Sequence, residues 1–177
     1  MGEYQIREAV PDDAPRIIAY MKTIADEPNN GIAMSSADEF TYTDEEEREI
    51  ITQSLEDDTR LFLVAEANGE IISVANARPA GGRDGFRATV GMGITVHRDW
   101  RGQGVGTAVM RRMIDWCREN PKIHRLELDV FSDNPRAIHV YEKLGFEHEG
   151  VRREVFYKEG EFKTLMLMGM LFDHDAV

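Results

Sequence analysis

Two apolar-alternating runs joined by a glycine-rich turn and a single helix restrict this fold more than any other feature of the chain. The first run, Arg87 to Val96, ends just before the turn Arg101-Gly102-Gln103-Gly104-Val105-Gly106-Thr107. A helical pattern follows from Gly104 to Arg118, with Val105, Val109, Met113 and Trp116 at helical spacing, and Asn120-Pro121 ends it. The second run, Arg125 to Phe131, puts Leu126, Leu128 and Val130 on one face. Strand, helix and strand in that order predict a parallel pair with a right-handed crossover.

The remaining elements read differently. Tyr4 to Val10 alternates as a strand, and Pro11-Asp12-Asp13 breaks it and opens a helix near Ala14 to Ala25, with Ile17, Ile18, Met21 and Ile24 on one side. Residues 26–42 hold Pro28, Asn29, Asn30 and Gly31 without periodicity, and a loop that long in a compact domain is often functional. Thr43 with Glu46 forms a capping box for a helix to about Glu56, with Ile50, Ile51 and Leu55 as its apolar side. Leu61 to Ala67 and Glu70 to Arg78 flank Asn68-Gly69, a strong hairpin signal, and Gly81 to Gly85 is the next turn. Asn134 caps a helix that has Pro135 at its first position and Gly145 just past its end. Phe146 to Tyr157 and Phe162 to Leu171 form a closing hairpin around Glu159-Gly160. The pattern predicts an α/β or α+β fold: one mixed, mostly antiparallel seven-stranded sheet with helices on both faces and a central β-α-β unit. With 177 residues, one domain spanning 1–177 is expected.

Charge and cysteine usage narrow the function. The net charge of −12 argues against sequence-independent nucleic-acid binding, which depends on neutralising phosphates. Ten carboxylates and the single Arg48 between Asp38 and Asp58 carry nine of those charges. That run reads either as a solvated helix face or as a field that draws a cationic substrate. The lone Cys117 forms no internal disulfide, lies on the apolar side of its helix and is expected to be an inert buried thiol. No Cys/His spacing suggests a metal site. No apolar run is long enough to span a membrane, and Met1 to Val10 has no apolar signal core, so the expected location is the cytoplasm.

The glycine turn carries the chemistry. Glycines at the start of a helix let backbone N–H groups approach a ligand, and the helix terminus adds positive potential. Such a turn suits a pyrophosphate. It is neither a Gly-x-x-x-x-Gly-Lys-Ser/Thr loop nor a Gly-x-Gly-x-x-Gly fingerprint, since Thr107 stands where the last glycine belongs. The plain alternative is a strand-to-helix turn with glycines for tight packing.

Two segments resemble the GNAT superfamily of N-acetyltransferases. Arg101-x-x-Gly104-x-Gly106 is similar to its Arg/Gln-x-x-Gly-x-Gly/Ala signature, and Asn134-Pro135-x-Ala137-x-x-x-Tyr141-x-x-x-Gly145-Phe146 to its downstream pattern. The resemblance covers nearly the whole chain and is loosest over residues 26–60. Its flavour is that of bacterial amino-acid, polyamine and ribosomal-protein N-terminal acetyltransferases, which these residues do not separate.

The resemblance implies acetyl-CoA as co-substrate and direct attack by a neutral amine in a ternary complex. The pyrophosphate would lie on Arg101, Gly102, Gln103, Gly104, Val105, Gly106 and Thr107, mainly through backbone N–H groups. The pantetheine arm would run along Ile94, Thr95 and Val96, in a wedge between splayed parallel strands, with a backbone N–H near Ile94 or Val96 for the oxyanion. Asn134 would touch the arm while capping its helix. Tyr141 would protonate the leaving thiolate, a phenol of pKa about 10 facing a thiol of about 8.5. Tyr141 also fits a plain apolar-face position beside Ile138 and Leu144.

The general base stays unassigned. Several relatives carry a glutamate on the strand before the turn, but here Thr89, Gly91 and Gly93 occupy it, with no acid between Arg87 and Val96. Glu39, a water chain, or His97, His124 and His139 on residue type alone are the candidates. Trp100 is expected to pack below the cofactor loop, and the acceptor site to be built by residues 26–42, the second helix and the last hairpin. The expected function is acetyl transfer to a primary amine of a small molecule, an amino acid or a polyamine-like cation. The rivals are a protein N-terminal acetyltransferase and an acyl-CoA-binding module without turnover. A homodimer is compatible with the sheet edge that the last hairpin offers.

Overall fold

Capping and turn residues place the first elements where the sequence predicts them. The computed structural model describes residues 2–28, 30–34, 36–81, 88–158 and 160–173. Strand β1 spans Gln5–Glu8, helix α1 Ala14–Ala25 and helix α2 Asp44–Glu56. The Thr43 hydroxyl accepts from the Glu46 N–H (3.3 Å), and the Glu46 carboxylate accepts from the Thr43 N–H (2.8 Å). Asn68 and Gly69 both take positive φ, as a two-residue hairpin turn requires, and join β2 (Leu61–Ala67) to β3 (Glu70–Pro79). Strand β4 is Thr89–Val96; most of the predicted turn from Gly81 to Gly85 lies outside the described residues. Helix α3 is Val105–Glu119, β5 Arg125–Phe131, α4 Pro135–Leu144, and the closing hairpin is β6 (Glu147–Lys158) and β7 (Glu161–Leu171).

The sheet has seven strands in the order β1-β2-β3-β4-β5-β7-β6, with β4–β5 the parallel pair. Helices cover both faces. One core gathers Val105, Val109, Met110 and Met113 of α3 over Leu126, Leu128 and Val130 of β5, and α4 packs against it through Ala137, Ile138, Tyr141 and Leu144. The other gathers Ile17, Tyr20 and Ile24 of α1 with Ile51 of α2 over Phe62, Val64 and Val74. Cys117 is fully buried, and burial pushes its thiol up to about 12.

Helix α2 departs from its predicted apolar side. Ile51 is fully buried, Ile50 is half-buried and Leu55 is exposed. Its second buried residue is an acid, Glu47. Burying one isoleucine contributes about 2 kcal/mol, so α2 is lightly anchored and leans on its capping box.

The parallel pair is short. β4 meets β5 only at Thr89–Arg125, Val90–Leu126 and Gly91–Glu127. β5 stays paired to β7 along its whole length, from Arg125–Leu171 to Phe131–Leu165, while β4 stays paired to β3 up to Val96–Ser73. Each strand follows the twist of its antiparallel neighbour, and the two part beyond Gly91. A wedge opens through the middle of the sheet.

Candidate active site

A cleft of about 990 Å³ fills that wedge and runs through the sheet. On the α3 face it is lined by Ile94, Val96, Leu128, Val130 and Tyr141, and on the α1/α2 face by Ile17, Met21, Glu47, Asn76 and Thr95. The hydrogen-bond phase of β4 decides which backbone groups face the gap. The His97 N–H donates to Ile72 O and the Ala80 N–H to Thr89 O, both at 2.9 Å. Antiparallel pairing alternates, so odd-numbered residues of β4 bond to β3 and even-numbered ones point the other way. The N–H and C=O groups of Met92, Ile94 and Val96 therefore face the wedge, where β5 no longer meets them. The Val96 carbonyl is taken by Arg101 Nε at 2.9 Å.

The glycine turn closes one end of the cleft. Gly102 and Gly104 take φ of 78° and 87°, the left-handed region that strains other residues. A Cβ on Gly104 would meet nothing within 4 Å and would project into open space, whereas one on Gly106 would come within 3.3 Å of Val96. The first helical bond of α3 is Ala108 N–H to Gly104 O, and no side chain caps the helix. The N–H groups of Val105, Gly106 and Thr107 are thus left for a ligand or water. Arg101, Gly102, Gly104, Gly106 and Thr107 line the cleft; Val105 turns its side chain into the core, and Gln103 folds back to donate to Asp99 O at 2.7 Å.

Arg101 holds the turn to the rest of the fold. Besides Val96 O, its guanidinium pairs with the buried carboxylate of Glu27, which also accepts from the Arg98 N–H. The guanidinium of Arg136, from α4, reaches Gly102, where a Cβ would lie 3.0 Å from it. Asn134 accepts from the Ala137 N–H at 3.2 Å, caps α4 as predicted and lines the cleft. Tyr141 is half-buried against the core, with its ring 5.9 Å from that of Phe146. Its hydroxyl makes no hydrogen bond among the described residues, and burial pushes it up to about 12. Trp100 lines the cleft beside the turn and stacks edge-on against Tyr4.

The other half of the cleft lies under α1 and α2. Gly93 clears its floor: a Cβ there would meet only Asn76 Oδ1, at 3.6 Å, and one on Gly91, two residues earlier, nothing within 4 Å. Arg78 lines this half without a partner among the described residues. The loop 26–42 supplies Asn30, Gly31, Ile32, Ala33, Phe40 and Tyr42.

Two expectations need correction. No described residue of the last hairpin lines the cleft; instead the ammonium of Lys158, at the end of β6, donates to Asn30 Oδ1 (2.6 Å) and to the carbonyls of Ile32 and Met34, which fixes the loop. Glu39, His97, His124 and His139 are all absent from the cleft wall, because their elements carry them to other surfaces. The acidic run does form a solvated face, but Glu47 leaves it and enters the cleft. Its position, three and four residues before Ile50 and Ile51, is the sequence signal that marks it. Arg78 and Arg136 carried no such signal. No helix among the described residues is long and apolar enough to cross a membrane.

The family model for the acetyltransferase (GNAT) family matches residues 29–146, about two thirds of the chain. The chain belongs to the GNAT acetyltransferase family. This GNAT-family chain is 44% identical over 70 residues to a protein of Escherichia coli K12 named L-amino acid N-acetyltransferase AaaT, a match covering 40% of the chain and 43% of that protein. It thus spans less than half the length of that relative. A GNAT-family acetyltransferase from Streptococcus pneumoniae has the same fold, with a TM-score of 0.90 and 28% identity over 97% of this chain and all of the other. The yncA protein of Salmonella typhimurium, solved with its cofactor acetyl-CoA, superposes with a TM-score of 0.83 and 26% identity over 98% and 96% of the two chains.

Since Glu27 is buried and holds both the turn and the strand end, its charge matters to the fold. Glu27→Gln is expected to lower the unfolding free energy by about 2 kcal/mol, read from urea denaturation. An unchanged midpoint would mean that Arg101 needs only the Val96 carbonyl.

Proposed function

We propose that this GNAT enzyme moves the acetyl group of acetyl-CoA to the α-amine of a free L-amino acid, by direct attack within a ternary complex. The observation that carries the proposal is the cleft itself: one continuous passage through the sheet, with a bare helix N-terminus at one end and a polar chamber at the other. The pyrophosphate lies on the turn from Arg101 to Thr107, on the free N–H groups of α3, with Arg136 beside Gly102 as a counter-charge. The pantetheine arm adds to β4 as a short strand, bonding the inward groups of Met92 and Ile94, while Asn134 approaches it from α4. The thioester carbonyl then meets the N–H of Ile94 or Val96, which stabilises the oxyanion.

Tyr141 is the proton donor to the leaving sulfur. With its pKa pushed up to about 12, the phenol stays protonated at every working pH. It is a weak acid towards a thiolate but a ready hydrogen-bond donor to one, and the proton passes in step with loss of the amide nitrogen's proton. The amino acid's carboxylate is held by Arg78, a cation in the acceptor chamber with no partner of its own among the described residues. The AaaT relative, named for acetylation of L-amino acids, supports the same substrate class.

Thiol release from acetyl-CoA, measured against amino acids, polyamines and short peptides, tests the proposal. Release with amino acids is expected, and release with peptides or polyamines alone would replace it. Tyr141→Phe is expected to lower kcat by about tenfold or more while acetyl-CoA affinity holds, and an unchanged rate would remove Tyr141 as the donor. Arg78→Ala is expected to raise KM for amino acids about 10- to 100-fold, the worth of a charge-assisted contact. An equal rise for an amine lacking a carboxylate would contradict the anchor.

A further inference from the structure

We infer that Glu47 of α2 is the general base: its carboxylate receives the acceptor's ammonium in the cleft and removes the proton that blocks attack. The inference rests on the acetyltransferase proposal above and supplies the proton acceptor that β4 lacks.

Glu47 is only 3% exposed, yet its carboxylate has no hydrogen bond and no ion pair among the described residues. It lines the cleft on the face of α2 shared with Ile50 and Ser54. No unpartnered side-chain oxygen is sealed in the interior among the described residues, so the unbonded carboxylate of Glu47 opens onto the cleft, where a charged group is unfavourable until something that enters the cleft pairs with it. Burial alone holds its carboxyl above the usual range, which moves it toward the pH at which a base must accept and release a proton.

The alternatives along the wall are spent or missing. Asp129, the other carboxylate that lines the cleft among the described residues, is paired with Arg152 at 3.1 Å. On β4 the acceptor face presents Gly91, Gly93 and Thr95, and Thr95 Oγ1 is hydrogen-bonded to the Tyr20 hydroxyl at 3.1 Å. The other acids of the run Asp38–Asp58 are exposed, except Asp57, which is tied to Thr59 and Arg60. The cleft wall that Glu47 shares also presents Ile17 and Met21 of α1, Tyr42 of the loop, and two cations, Arg60 before β2 and Arg78 of β3. Asp12 and Asp13, on the turn that also packs on α2, are held by Arg48 and by Arg7 and Arg16. Glu47 and Arg78 both line the cleft and neither is paired among the described residues, so a zwitterionic acceptor held by both would give its ammonium to the acid and its carboxylate to the base.

The step balances. The ammonium passes one proton to Glu47 and becomes a free amine. The nitrogen lone pair forms the C–N bond to the thioester carbon, and the C–S bond breaks as the carbonyl re-forms. The sulfur leaves with its electron pair and takes the Tyr141 proton. The proton shed by the new amide nitrogen returns to Tyr141, and Glu47 releases the net proton to solvent.

Glu47→Gln keeps shape and removes the proton acceptor. Expected are an unchanged acetyl-CoA affinity, a melting temperature no lower than that of the wild type, and kcat/KM for the amine lowered about 100-fold near neutral pH. The deficit should shrink as pH rises toward the acceptor amine's own pKa, where the amine no longer needs a base. Wild-type rates in the variant would overturn the assignment, and so would a deficit that stays constant into alkaline pH. The two proposals fail separately. An enzyme active on polyamines and not on amino acids overturns the amino-acid proposal, and the variant is then read on that amine. An enzyme active on amino acids whose Glu47→Gln variant matches it overturns the Glu47 assignment alone.

Discussion

The parallel ladder between β4 and β5 lasts three residue pairs, and everything functional about the molecule sits in what its ending leaves behind. A β-strand whose neighbour departs keeps a row of unpaired N–H and C=O groups, and buried backbone groups of that kind are costly unless something bonds them. Here they face a cleft. The same holds for α3, whose first N–H groups have neither a side-chain cap nor an intrahelical partner. Two sets of unsatisfied backbone groups thus meet at one opening, a strand edge suited to an extended amide-bearing arm and a helix terminus suited to an anion. Glu27 and Arg101 clamp these two elements together, so the distance between strand edge and helix terminus is fixed before any ligand arrives.

The electrostatics are zoned against the overall charge. A chain of net charge −12 concentrates positive potential at the glycine turn, through the α3 terminus and Arg136, and faces most of its surplus acids to solvent on α2. The acidic surface repels a polyanionic cofactor at long range, but salt screens that repulsion within about 10 Å, while the turn acts at contact distance. The closing hairpin enters the site indirectly. Lys158 spends its donors on Asn30 and on two carbonyls of the loop, which makes the acceptor wall a fixed part of the fold.

Much of this was legible in the sequence, and the parts that were not share a cause. Thr43 with Glu46, Asn68-Gly69, and Asn134-Pro135 with Gly145 act on their immediate neighbours, so their geometry follows from residue type alone. The glycine turn was legible because the φ of Gly102 and Gly104 and the closeness of Gly106 to Val96 favour glycine over any residue with a side chain. The splay of β4 from β5 came only as an implication of resemblance, since it arises from which antiparallel partner each strand follows. Glu47 does not stand out among ten acids by residue type, although its offset from Ile50 and Ile51 puts it on the buried face. Arg78 and Lys158 were illegible because their roles depend on loops and strands distant in sequence.

Glu47 also shows how the fold accommodates an unfavourable group. Its carboxyl is raised by burial, so below the ordinary carboxylate range it is protonated in both folded and unfolded chains and has no effect on stability. As pH climbs from the ordinary value to the raised one, the unfolded chain ionises first and the folded state loses relative stability. Above the raised value the loss is complete, and that is where an amine acceptor must be deprotonated. Helix α2 offsets the loss locally: its capping box satisfies two terminal N–H groups, and Ile51, one turn further on, is fully buried. The helix is therefore held at its start and at one residue beyond Glu47, and the stretch between them is left to serve the cleft.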